Sequence, residues 1–184
     1  MRNLRFVVPA LLLAAVTSTG CWLTSGQFVV SQELPDPLTI IGSTNLVSAQ
    51  IDLNEESTYR DHKSDLKDLT DCAVLGVFTN NPGSPAITIE VWLTPALTSY
   101  TQESQLNLDA TRVRVWGPFS LAAGQTKKIG WDESSSLFSK TGKNALIQEV
   151  LGDGDFTLYA KGTGAAYNFT ITDGSAVVVI DAGK

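Results

Sequence analysis

The chain has 184 residues, with 13 Lys and Arg against 19 Asp and Glu, a formal net charge of −6 at pH 7 and a single His. So acidic a surface repels phosphate backbones and anionic headgroups, so neither nucleic-acid binding nor electrostatic adhesion to a membrane is expected. One His and two Cys are too few soft ligands for a zinc or copper centre, and no metal or other cofactor is expected.

Arg2 and Arg5 precede an apolar run from Phe6 to Val16, which is too short to span a bilayer, and the small residues Ser18-Thr19-Gly20 follow. Residues 1–20 therefore read as a secretion signal, and Cys21 stands directly after the cleavage region. The charged start, short apolar core and Gly20-Cys21 junction together resemble a bacterial lipoprotein signal. The resemblance covers the first 21 residues and implies export, a new N-terminus at Cys21 and a lipid on its sulfur, which anchors the protein in the cell envelope. Ser18 with Gly20 also suits the ordinary signal peptidase, which would leave a soluble periplasmic or secreted product. Either cut removes two basic residues and no acid, so the remainder is more negative still. What remains suits a short tether at residues 21–27 and a single domain over 28–184.

Along that domain the dominant period is two. Expected strands run Phe28–Gln32, Leu38–Ile41, Val47–Leu53, Cys72–Thr79, Ile87–Leu93, Arg112–Trp116, Thr126–Trp131, Phe156–Lys161, Tyr167–Thr172 and Ala176–Asp181. Turn residues separate them, among them Asn80-Asn-Pro-Gly83, Gly152-Asp-Gly154 and Asp173-Gly174, the last a type I′ hairpin signal. Two segments carry helical spacing: Glu56–Asp71, through Tyr59, His62, Leu66 and Leu69, and Ser139–Gly152, through Leu146, Ile147, Val150 and Leu151. Many short strands with one or two short helices predict a mainly β fold, an antiparallel β-sandwich of immunoglobulin-like architecture.

Chemistry-bearing motifs are sparse. His62 lies in a mixed-charge helical stretch with no nucleophile motif to serve, and Cys72, in the apolar run Cys72–Phe78, reads as a small core residue, so no catalytic residue is expected. Carboxylates concentrate from Asp52 to Asp71, and Asp153 and Asp155 offer a second acidic turn, but neither spacing matches a known calcium loop. Trp92 and Trp116 fall in the polar phase of their strands, and Arg112 and Arg114 share that phase with Trp116. These four form the expected contact surface, because Trp and Arg dominate interface energetics. The expected function is a non-enzymatic binding module, anchored through Cys21, with a protein partner in the envelope. The alternative is an extracytoplasmic hydrolase that uses acidic residues.

Overall fold

A computed structural model describes residues 22–24, 26–42, 46–163 and 166–182. Cys21 and the signal segment lie outside the described residues. In chain order the elements are β1 (Trp22–Thr24), β2 (Gln27–Glu33), β3 (Leu38–Gly42), β4 (Val47–Asp52), α1 (Ser57–His62), β5 (Leu66–Asn80) and β6 (Ile87–Pro95). They continue with α2 (Glu103–Leu108), β7 (Val113–Leu121), β8 (Thr126–Ile129), α3 (Trp131–Ser136), α4 (Lys140–Leu151), β9 (Asp155–Thr163) and β10 (Tyr167–Ala182).

The strands form two antiparallel sheets, as the alternating pattern predicts. One has the order β1-β2-β10-β5-β8, with β3 also on β10, and the other has the order β4-β9-β6-β7. The sheets face each other as a β-sandwich. Between them Phe78 stacks on Trp116 and packs edge-on against Phe119, with ring centroids 5.9 and 5.6 Å apart. Leu146 and Val150 of α4 complete the same core. Cys72 is fully buried, and burial pushes its thiol up to about 12.

The Asp173-Gly174 pair is not a hairpin turn. β10 runs straight through it, because strands flank β10 on both sides: β2 and then β3 on one edge, β5 on the other. A type I′ turn needs positive φ at both central residues, and here Asp173 alone of the two has it, at 52°. Thr172 pairs with Val77 and Ser175 with Leu75, so two residues of β10 oppose the single Gly76 as a β-bulge. Gly76 is required there, since its φ is 146° and a Cβ would lie 3.1 Å from the Thr172 carbonyl oxygen.

Three other boundaries move for the same reason, that tertiary pairing outweighs local pattern. The helix expected over 56–71 stops at His62 and gives way, after one 3₁₀ turn, to β5, where Leu66 and Leu69 pair with Ala182 and Ile180. Residues 22–24, expected within an extended tether, instead pair with β2, Trp22 opposite Val29. Trp131 belongs to α3 and not to the strand before it. The helix expected between Ser139 and Gly152 is α4: the Ser139 hydroxyl accepts the Gly142 N–H at 2.9 Å, and Gly152 is its C-cap.

Candidate binding surface

The outward phase of β6 and β9 places Glu90 opposite Lys161, Trp92 opposite Tyr159 and Thr94 opposite Thr157. By alternation this is a polar, solvent-facing surface, yet Thr94, Thr157 and Tyr159 are completely buried. Residues 96–112 cover them, folding back across the sheet as a strap that contains α2. The strap is held by hydrogen bonds: the Thr98 N–H donates to the Thr157 hydroxyl at 2.9 Å and the Tyr100 N–H to the Tyr159 hydroxyl at 3.2 Å. The Tyr100 hydroxyl donates to Asp109 at 3.1 Å, and Thr157 donates back to the Ala96 carbonyl at 3.1 Å. Lys161, only 6% exposed, pairs with Glu103 of α2 at 2.6 Å.

Beside the strap the sheet carries Trp92, which is half-buried. Its indole N–H donates to Glu90 at 3.1 Å, while the Arg112 guanidinium and the Lys161 ammonium lie 5.6 and 5.4 Å from its ring centroid. Arg114, paired across the sheet with Trp92, donates to the other Glu90 oxygen at 2.8 Å and keeps 42% of its side chain in water. Trp92, Arg112 and Arg114 are thus brought together around an aromatic face flanked by cations. The cluster holds the cations Arg112, Arg114 and Lys161 with the carboxylates Glu90, Glu103 and Asp109 beside them, so its charges balance.

Trp116 is not part of this surface. It is 1% exposed and sits in the core, with its N–H donating to the Ser134 hydroxyl at 3.0 Å. The cause is a pair of bulges in β7: between the pairs Ile89–Phe119 and Val91–Trp116, and again before Trp92–Arg114, β7 spends one extra residue. Each bulge reverses the side-chain phase, so Trp116 points inward while Arg114 stays outward. Trp131 lies elsewhere again, donating to Asp71 at 2.9 Å from α3. Glu90, Lys161 and Glu103 went unrecognised in the sequence. The outward phase shared by Thr157, Tyr159 and Lys161 pointed to Lys161, but nothing local pointed to Glu103, which meets it from 58 residues away.

The two acidic turns do come together. Asp52 pairs with Asp155 across β4 and β9, and the Asn54 amide sits among them, donating to Asp52 at 3.1 Å, to Asp155 at 3.0 Å and to the Asp153 carbonyl at 2.8 Å. These hydrogen bonds, that from Asn54 first, hold the Asp52 carboxyl below the usual carboxylate range, while burial and the neighbouring Asp52 raise Asp155. Among the described residues no group of three or more His, Cys, Asp or Glu could hold a metal ion. His62 lies 3.8 Å from Asp65, its neighbour one turn on.

No family model and no curated protein matches this chain. Among solved structures it is similar to a chain of the T13 IBDV viral particle, at 11% identity and a TM-score of 0.41, over 95% of this chain and 36% of that one. It is also similar to a chain of infectious bursal disease virus Gx strain, at 12% identity and a TM-score of 0.39, over 96% and 37%. A chain of Desmodium yellow mottle tymovirus matches at 10% identity and a TM-score of 0.24, over 98% and 95%. The chain thus spans little more than a third of the two bursal-virus chains it matches. Likeness at this level says nothing of function.

Proposed function

We propose that the protein is an exported, lipid-anchored envelope protein whose sandwich is a non-enzymatic binding module for a protein partner. The Gly20-Cys21 junction behind a charged start and a short apolar run supports the anchor. The observation that carries the binding role is the Trp92 ring, flanked by Arg112 and Lys161 and bordered by the exposed Arg114. Large aromatic and Arg side chains held in place by their neighbours lose little entropy on contact, which is why such groups anchor interfaces.

Metabolic labelling with a fatty acid tests the anchor: wild type should take up label and Cys21→Ala should not, and equal labelling of the two removes it. A photo-crosslinker at position 114 should capture one discrete envelope protein, in a yield that Trp92→Ala reduces. Equal capture from position 128, on the other sheet, would remove the surface. The hydrolase alternative would reside in Asp52 and Asp155, the two carboxylates that β4 and β9 place opposite each other with the Asn54 amide between them. Asp155→Asn is the variant that would abolish such an activity.

A further inference from the structure

Two cavities, of about 70 and 80 Å³, lie between the sheets. Val74, Val91, Trp116, Leu158 and Ala176 line both, so the two are consecutive parts of one slot. α4 closes the deep end of the first through Leu146 and Val150. Both reach the same flank of the sandwich. One lip is formed by Val30 and Gln32 of β2 with Leu34 and Leu38 beyond them. The other is formed by Val47, Ala49 and Ile51 of β4, alternate residues that set a length of roughly 14 Å. Along this flank inward-facing residues stay only partly buried, among them Val30, Val47, Ile51, Leu158 and Val178. An apolar interior left open in this way is rare in a close-packed fold and leaves room for a small apolar group.

We propose that the slot takes the end of a single acyl chain of an uncharged or zwitterionic membrane lipid, about six carbons of it, with the rest of the chain outside the lips. No charged side chain lines either cavity, and the polar groups there are few: the Gln32 amide on the lip, the buried Cys72 thiol and the Trp116 N–H, already bonded to Ser134. A polar ligand would find nothing to pair with. Two small cavities in line suit a narrow flexible chain better than a rigid ring system. An anionic headgroup would meet an acidic protein with no Lys or Arg on either lip. The supply of lipid rests on the anchored reading above: Trp22, next to Cys21 in sequence, pairs with Val29, beside Val30 on the lip. The slot therefore opens close to the point of attachment.

The test uses the full chain carrying Cys21→Ser, which has no lipid of its own. Radiolabelled monoolein should bind it and be displaced by an excess of unlabelled monoolein. Ala176→Leu and Ala160→Leu fill the slot from within, and each should weaken monoolein binding by about ten-fold or more while leaving the melting temperature equal or higher. Ala49→Leu, on the half-exposed lip, should weaken binding without the risk of overpacking. Failure of monoolein to bind, or filled variants that bind it as tightly as the parent, would overturn the proposal. So would a slot that ignores monoolein and accepts an apolar extended peptide, which would make it a strand acceptor. Native mass spectrometry after incubation with phosphatidylethanolamine vesicles separates the sources. A bound lipid on the Cys21→Ser chain supports the proposal, whereas occupancy confined to lipidated wild type would assign the chain to Cys21 and overturn it. Unlabelled Cys21 with a slot that binds monoolein would instead remove the anchor and leave the slot.

Discussion

The two flanks of the sandwich are built on opposite principles. On the flank where β5 outruns its short partner β8, which pairs only with Gly76–Thr79, helices take over the open edge. The Ser134 hydroxyl of α3 accepts the Val74 N–H at 2.7 Å, as a neighbouring strand would. Asp71, one turn of the pleat away, accepts hydrogen bonds from the Cys72 N–H, Trp131, Lys143 and Ser135, and so ties β5 to both α3 and α4. Among the described residues the flank between β2 and β4 has no such cover, and its apolar side chains stay partly exposed. The difference teaches that the edge of β5 is sealed by side-chain and helix contacts encoded far along the chain, not by another strand.

Removing the plug of the sealed flank should have the largest effect. Trp116→Ala deletes a fully buried ring and removes one of the two donors to the Ser134 hydroxyl, and should cost about 3–5 kcal/mol in denaturant unfolding. A loss below about 1 kcal/mol would mean that this side is no better packed than the other. Gly142→Ala should cost about 2–3 kcal/mol, because a Cβ there would lie 2.5 Å from the Val115 Cα and would push α4 off β7. The same substitution at the exposed Gly124 meets nothing within 4 Å, although its φ of 68° adds backbone strain.

Acid should loosen the sealed flank next. Burial works against ionisation of Asp71, but the hydrogen bonds from Ser135, Lys143, Cys72 and Trp131 outweigh it and hold the carboxyl at about 2. Because the folded value lies below the ordinary one, this contribution is complete above pH 4 or so and is lost as pH falls towards 2. With the carboxylate 27% exposed, it amounts to about 2 kcal/mol at most. Asp71→Asn should therefore flatten the acid limb of a melting-temperature profile, and an unchanged limb would show that Asp71 carries no share of it.

Smaller effects sharpen the contrast. In a Cys21→Ser background Cys72 should resist a thiol reagent until denaturant is added, since its thiol is both buried and pushed up to about 12. Fast native reaction would mean that the slot admits the reagent. Trp92→Ala, outside both flanks, should shift stability by less than about 1 kcal/mol, in keeping with its half-buried place.

The legible parts of the sequence were those where local pattern and tertiary demand agree. Alternation at Val47–Ile51 and Ile87–Leu93 marks β4 and β6, and the Ser139 and Gly152 caps bound α4. Cys72 reads as core because both phases around it are apolar. The pattern fails where the backbone departs from regularity. Two bulges in β7 turn Trp116 inward, and a bulge in β10 turns an apparent hairpin signal into the middle of a strand. α3 is illegible because Trp131-Asp-Glu-Ser-Ser-Ser136 has no apolar period; it exists to satisfy the edge of β5. Of the surface residues, Trp92 and Arg114 follow from strand phase, whereas Arg112 lies just outside β7, bonded to the Asn107 and Asp109 carbonyls of the strap, and the strap's Lys161–Glu103 pair depends on long-range contact.

β10 is the last strand in chain order and the middle of its sheet, joining β2, β3 and β5. Gln27 near one end meets Asp181 near the other, 154 residues apart. Until residues 167–182 leave the ribosome, β2 and β3 have no ladder to join on that side, and the first sheet cannot close. Such a topology folds late and slowly, and the inner apolar face of the first sheet stays uncovered until those residues are present. A chain stopped before Tyr167 therefore lacks the one described strand that joins β2, β3 and β5, and its first sheet should not assemble.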